Sequence, residues 1–372
     1  MTHEDPHLFP RRREPGSIWE RTGVSPRTER RLDALLVALI ALFVGGWTWS
    51  IAIVIEEDRP PAFASRLTAS ALSPDAPPPA AFVLDEIVRR VALSADWRGE
   101  SGALRVRIVE PGDTLVLPDS LPPEVIAELT PAEGDPAGRT TGGDPEPGIW
   151  NVVLRAHDAV RPLPGFTYVV PVPITEKRGG RIGRYLLGTW PFEGRAAREG
   201  YETPSGLIRV TPENRDLQVS EHFVLGDFLT KGQADVWPKY VVVSPRMLDK
   251  LELTIQELER RGHPVANVGI ISGFRHPHYN VAGGSPAGRG DLSRHMYGDA
   301  TDFYIDNDGD GRMDDLNGDG RVDIGDARVM AQAAEQVERD HPTLIGGIGI
   351  YRPTGAHSGF IHVDTRGYRA RW

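Results

Sequence analysis

Hydrophobic and polar positions follow three different patterns along the chain. Near the N-terminus, Ala34–Ile55 contains no charged residue and would be about 33 Å long as a helix, enough to cross a hydrocarbon core of ~30 Å. From residue 82 to 215, short apolar runs alternate with Gly and Pro clusters, which predicts a small β-rich domain. From residue 216 to 372, helical and strand periodicities alternate, which predicts an α+β domain.

The clearest helix of the C-terminal part is expected to begin after Ser244, which is placed to cap it, with Pro245 at its first position and Gly262 ending it. Its apolar stripe consists of Leu248, Leu251, Ile255 and Leu258. A later helix follows Asp326, which is also placed as a cap. Alternating residues predict strands in 300–305 and 360–364, and the second would present His362 and Asp364 on one face.

Charge around the apolar run predicts its orientation. Seven arginines precede it and three acidic residues follow it, so the positive-inside rule places residues 1–31 in the cytoplasm. Residues 32–55 would then be a transmembrane helix, and the Pro- and Ala-rich segment 56–81 a linker. A cleaved signal peptide is the alternative, but the run is longer than usual for one and starts late. The pattern predicts a single-pass protein of the inner (cytoplasmic) membrane with periplasmic or extracytoplasmic C-terminal domains.

Composition removes several classes of function. The chain has no cysteine, which excludes thiolate metal sites and thiol redox chemistry. Its net charge of −10 argues against a nucleic-acid partner. Nothing in the composition predicts an oligomeric state.

Two segments contain histidine and carboxylate at spacings suited to one metal ion. SRHMYGDATD contains His295 and Asp302, with small residues between them that allow a tight bend, and GFIHVD contains His362. Imidazole together with carboxylate suits Zn²⁺. Three protein ligands leave a fourth coordination position open, which is typical of hydrolytic rather than structural zinc.

SRHMYGDATD resembles the SxHxxGxAxD signature of zinc D,D-peptidases and related murein endopeptidases, the LAS group. GFIHVD resembles their second metal segment, and ISGFRHPHYN, residues 271–280, resembles the stretch that precedes the signature. The resemblance implies an antiparallel sheet with flanking helices and a zinc peptidase that acts on peptidoglycan stem peptides. It further implies zinc ligands at His295, Asp302 and His362, a substrate carboxylate held by Arg275, and a substrate-binding role for Ser293, which opens the signature.

Two residues are candidates for the group that transfers the proton during hydrolysis. His357 lies five residues before His362, a spacing similar to that of the catalytic histidine in one branch of the group. Asp364 is the other candidate, although it would alternatively orient an imidazole. Other branches place a glutamate three residues before the last ligand, where this chain has Gly359.

An acidic insertion, residues 306–326, matches a calcium-loop template twice and resembles dockerin and thrombospondin-type loops. The second match is the better one, with Gly320 at its turn, whereas the first has Gly311. The first would use Asp306, Asp308, Asp310, the Arg312 carbonyl, Asp314 and Asn317. The second would use Asp315, Asn317, Asp319, the Arg321 carbonyl, Asp323 and Asp326. One ion and two close ions are both compatible with this overlap, and a flexible acidic insertion is the alternative.

The resemblance, taken together with the predicted membrane helix, implies a membrane-anchored zinc peptidase that cleaves peptidoglycan stems or cross-links, as a D,D-carboxypeptidase or an endopeptidase. A structural calcium ion would hold the insertion. The alternative is a non-catalytic protein that binds peptidoglycan or assembles in a calcium-dependent way. An amidase with the same ligands is a third interpretation.

Overall fold

The computed structural model describes residues 84, 98–110, 125–132, 146–157, 159–282, 290–355 and 357–372. The predicted cytoplasmic tail, transmembrane helix and linker lie outside the described residues. Within those ranges, no helix has the length and apolar character needed to cross a bilayer. The described part of the chain is a mixed α+β structure with several sheets and few helices.

The first sheet lies in the region where short apolar runs predict strands. It has the strand order β1-β4-β3-β2, with β1 parallel to β4 and the other pairs antiparallel. A hydrophobic cluster that includes Trp150, Leu154 and Tyr168 packs within this sheet region. The strands are β1 Val106–Ile108, β2 Ile126–Pro131, β3 Gly148–Ala156 and β4 Ala159–Val170.

Two small sheets connect this region to the rest of the chain. One has the order β5-β8-β9 and the other is the hairpin β6-β7. Because β8 and β9 pair across position 215, and the larger hydrophobic core contains residues from both sides of it, the two sides share a core. The domain boundary at 215 stays a prediction. The strands are β5 Val172–Pro173, β6 Arg181–Ile182, β7 Tyr185–Leu186, β8 Gly206–Val210 and β9 Lys239–Val241.

The second large sheet carries the segments with the histidines. Its order is β10-β11-β13-β12-β14, antiparallel except for β14, which runs parallel to β12. The strands are β10 Val268–Ser272, β11 Ala300–Ile305, β12 Gly347–Tyr351, β13 Phe360–Asp364 and β14 Ala370–Arg371. The helices are α1 Pro245–Arg260, α2 Pro277–Ala282 and α3 Ile324–Asp340.

Helices α1 and α3 agree with the predicted periodicity, but the cap of α3 differs from expectation. The four predicted apolar residues of α1 are each at most 1% exposed. Ser244 stands at the N-cap of α1, as predicted, although its side chain makes no cap hydrogen bond. Helix α3 is capped by Asp323, and Asp326 completes a capping box from the third helical position. The predicted cap, Asp326, therefore lies three residues after the observed N-cap, Asp323.

Strand register places the key residues in one row across the sheet. Asp302 of β11 lies opposite both Ser272 of β10 and His362 of β13, and His362 lies opposite Gly349 of β12. Residues that pair directly point to the same face of a sheet. The opposite face contains Ile361, which is fully buried, and α3 packs against β12 and β13.

Candidate metal centre

A tight bend brings His295 next to the strand that carries Asp302. His295 lies in a short 3-10 helix, Arg294–Tyr297, which ends at Gly298 in the left-handed conformation (φ 71°). A Cβ atom at this position would lie 2.4 Å from the carbonyl oxygen of Val242. Both the backbone angle and the close approach therefore require glycine at this position between the two candidate ligands.

Three ligand atoms converge at the bend and the sheet. Asp302 Oδ1 lies 2.8 Å from His362 Nδ1 and 3.3 Å from His295 Nε2. The two ring nitrogens are 3.2 Å apart. All three side chains are buried, and their ligand atoms form a group suited to hold a metal ion.

The outer nitrogen of each histidine ring is held by a hydrogen bond. His295 Nδ1 donates to the carbonyl oxygen of Gly273 at 2.7 Å, and His362 Nε2 donates to Asp364 Oδ2 at 3.1 Å. In the neutral imidazoles, the lone pairs therefore lie on His295 Nε2 and His362 Nδ1, the two atoms that face Asp302. Such outer hydrogen bonds are typical of histidines that bind metals.

The group fits a zinc ion by this donor chemistry. Ligand atoms about 2.0–2.1 Å from a tetrahedral zinc lie roughly 3.3 Å from one another, close to the separations between these three atoms. Two imidazole lone pairs and a carboxylate oxygen would repel each other without a cation between them. The residues present therefore fit a divalent ion bound by three protein ligands.

The electrostatics of the three residues also favour a positive charge. Burial would raise the pKa of Asp302, but the two adjacent histidines outweigh this effect and hold the pKa well below its usual range. Burial lowers the pKa of His295. Burial would also lower the pKa of His362, yet its hydrogen bonds with Asp302 and Asp364 raise it overall. The buried carboxylate of Asp302 thus stays charged, and positively charged groups beside it stabilise that charge.

Arg275 lies beside this group, whereas Ser293 lies two residues before His295 and makes no described contact with the three side chains. Arg275 Nη2 is 3.3 Å from Asp302 Oδ2, and its side chain is 10% exposed. The backbone N–H of Arg275 donates to the carbonyl of His295, so the two segments are tied together. Ser293 is half-buried at the N-cap of the 3-10 helix. A carboxylate-binding role for Arg275 remains a prediction, and its position next to the candidate ligand Asp302 is compatible with it.

Asp364 lies behind His362 rather than in an open cleft. Its side chain is fully buried, and besides His362 it accepts hydrogen bonds from the backbone of Gly347 at 2.8 Å and from Arg366 Nε at 2.9 Å. Burial would raise its pKa, but the bonds to His362 and Arg366 hold that pKa well below its usual range. This arrangement favours the orienting alternative for Asp364 over proton transfer.

His357 lies in the loop before β13. Its Nδ1 donates to the carbonyl of Ser358 at 2.7 Å, which leaves Nε2 as the acceptor in the neutral ring. Its ring packs edge-on against Phe360, 5.1 Å between centroids, and Phe360 shares a strand face with His362. His357 is thus on the side of the sheet that holds the ligand group.

An aromatic row on the same sheet face was missed by the sequence patterns. The indole of Trp372 lies 5.2 Å from the ring of His362 and donates to the hydroxyl of Tyr351 at 2.7 Å. It lies over Gly349, where a Cβ atom would come within 2.4 Å of it. Burial, with a smaller contribution from the charge of Asp302, raises the pKa of Tyr351. The alternation of Gly349 and Tyr351 in β12 was the sequence signal that could have indicated which side chains share the sheet face with His362.

The acidic insertion forms a second group of carboxylates. Asp306, Asp308 and Asp314 offer ligand atoms that all lie within 4.8 Å of one another. Asp310 is exposed beside them. The residues of the second template match are mostly exposed, apart from the buried Asp326. That match also includes Asp315, Asn317, Asp319, Arg321 and Asp323.

No protein-family model matches the chain, and comparison with curated proteins and with solved structures found no match. The assignment of a function therefore rests on the residues of the site.

Proposed function

We propose that the protein is a zinc-dependent peptidase of LAS type that cleaves peptide stems or cross-links of peptidoglycan. The observation that carries the proposal is the convergence of His295 Nε2, His362 Nδ1 and Asp302 Oδ1 within 3.3 Å of one another. The three ordered motifs support the substrate class. Anchoring by residues 32–55 and an extracytoplasmic site belong to the same proposal and rest on the sequence alone.

Zinc, when bound, would supply Lewis-acid polarisation of the scissile carbonyl and activation of water. The chain's own residues would do the rest. Asp364 keeps His362 in the tautomer that directs Nδ1 inward, and the Gly273 carbonyl does the same for His295. Arg275 would hold a substrate carboxylate through its planar fork of donors, which matches a carboxylate bidentately.

His357 would accept a proton and pass it to the leaving amine. Its Nε2 is the acceptor in the neutral ring because Nδ1 is bound to the Ser358 carbonyl. Tyr351 and Trp372 would form an apolar wall beside the scissile bond, since their rings stand on the same sheet face as His362. Such a wall would limit the access of bulk water. Calcium in the acidic insertion completes the proposal as a structural ion.

Elemental analysis and digestion of purified peptidoglycan test the proposal together. The full-length wild type should contain zinc and release new muropeptides, whereas His295→Ala should lose both properties. His263→Ala is the matched control, since His263 is a partly buried histidine that follows α1. Zinc-loaded wild type that releases no muropeptide would contradict a peptidase and support the binding alternative.

A further inference from the structure

The acidic insertion contains two loops with the same local hydrogen bonds. In the first, the backbone N–H of Gly311 donates to Asp306 Oδ2 at 3.2 Å, and in the second that of Gly320 donates to Asp315 Oδ2 at 2.7 Å. Both follow the calcium-loop template, in which the sixth residue turns back onto the first. Turn geometry therefore does not distinguish between the two loops.

Burial does distinguish them. Asp306 is 5% exposed, and its Oδ1 atom has no hydrogen-bond partner within the part of the chain that the structure describes. Asp315 is exposed, and its Oδ1 accepts hydrogen bonds from the backbone of Gly318 and Asp319. A buried carboxylate oxygen without a donor is costly to leave unpaired, so Asp306 needs a cation where Asp315 does not.

In the second loop, the buried carboxylate of Asp326 already accepts backbone hydrogen bonds through both of its oxygens. Asp326, which is fully buried, accepts from the backbone of Leu316 and Asn317 through Oδ1 and from that of Asp323 through Oδ2. Both carboxylate oxygens thus hold the start of α3. At the ninth position of the first loop, by contrast, Asp314 Oδ2 accepts from the backbone of Asn307, and its carboxylate remains within reach of Asp306 and Asp308.

We propose that one calcium ion binds to the first loop, through Asp306, Asp308 and Asp314, and that it positions the loop that carries His357. Calcium prefers six to eight oxygen ligands. Three carboxylates from one short loop match this preference, and the template adds Asp310 and the carbonyl of Arg312. Magnesium would require a more regular octahedral set of ligands, so calcium is the ion assigned.

The link to the His357 loop runs through Met313, which lies inside the ion-binding loop. The backbone N–H of Met313 donates to Ser358 Oγ at 2.6 Å, and Ser358 accepts from His357 Nδ1 through its carbonyl. A Cβ atom on Gly359 would lie 2.4 Å from Met313 Cε, so the two segments are in close contact. An ion that orders the first loop would thereby hold Ser358 and His357 in place; the importance of His357 rests on the proposed function.

Calorimetric titration of metal-depleted, zinc-reloaded full-length protein with Ca²⁺ tests the site. Wild type should bind Ca²⁺ in preference to Mg²⁺, and Asp306→Asn and Asp308→Asn should each weaken binding by about tenfold or more, since affinity depends on ligand charge. Asp315→Asn is the matched control and should bind like wild type. Asp308 is exposed, so its substitution should leave the fold and the zinc content unchanged.

Three results would overturn the site: wild type without Ca²⁺ binding, preference for Mg²⁺, or Asp315→Asn losing binding while Asp306→Asn retains it. Binding is measured without substrate. A protein that binds Ca²⁺ in the first loop but cleaves no peptidoglycan would therefore refute the proposed function alone, whereas cleavage without Ca²⁺ binding would refute the calcium site alone.

Amide hydrogen exchange tests the coupling. Ca²⁺ should slow exchange in the segment 357–362 of wild type, because the ordered first loop holds Ser358. Ser358→Ala should bind Ca²⁺ with unchanged affinity and lose most of this protection. Equal protection in Ser358→Ala and wild type, or no effect of Ca²⁺ on the segment in wild type, would refute the coupling.

Discussion

Asp364→Asn separates the two roles open to Asp364. The substitution keeps the shape of the side chain and removes the charge that faces His362 Nε2 at 3.1 Å. If Asp364 orients His362 and raises its basicity, the variant loses zinc affinity, and the loss of such a partner typically costs 10–100-fold. That range corresponds to about 1.4–2.8 kcal/mol of binding free energy. The upper end is expected, since Asp364 is fully buried and electrostatic interactions are stronger in the interior than in water.

Competition against a chromophoric zinc chelator measures this affinity, and peptidoglycan cleavage at saturating zinc measures what activity remains. With zinc restored, Asp364→Asn should regain much of its activity and keep the pH profile of wild type. Asp216→Asn is the matched control, because Asp216 also faces an arginine but is 81% exposed. Unchanged zinc affinity combined with lost activity would refute the orienting role and make Asp364 the proton-transfer group.

Two further predictions concern ion pairs outside the ligand group. Lys250, which is fully buried, donates to Glu338 and to the carbonyl of Asp364, both at 2.6 Å. Lys250→Met should lower the free energy of unfolding, measured with denaturant, by about 3–5 kcal/mol, because it removes one partner of a buried ion pair. A loss of less than ~1 kcal/mol would contradict this. The hydrogen bond to Glu252 raises the pKa of His222 in the folded protein. The His222–Glu252 pair therefore stabilises the fold fully below the unfolded pKa of about 6.5, and this stabilisation is lost as the pH rises through the folded pKa. The difference in Tm between wild type and His222→Gln should therefore shrink at alkaline pH, and a constant difference would refute the assignment.

Two adjacent strands of the second sheet, β11 and β13, were predictable because their signals are local. The alternation in β11 and β13 sets which residues share a face, and the stripe of α1 sets which face is buried. Helix caps were less predictable. Asp323 and Asp326 both have capping side chains, and the choice between them depends on where the preceding loop ends.

For the candidate metal centre, the sequence by itself indicated the three candidate ligands, through their motifs, and the bend at Gly298, through its small residues. Only the tertiary structure decided which atoms converge. Register places Asp302 opposite His362, and the contacts with Gly273 and Asp364 select the inward-facing nitrogens. Pairing and tautomer depend on segments far apart in the chain, so no local pattern contains them.

The acidic insertion shows the same division. The calcium-loop template matches its sequence twice, and the loop that begins at Asp315 is the better match. Burial reverses this order, because Asp306 continues directly from β11 into the interior and Asp315 lies at the surface. Spacing determines which oxygens are able to meet around an ion, whereas the cost of leaving a buried carboxylate oxygen unpaired arises only after the chain has packed around it.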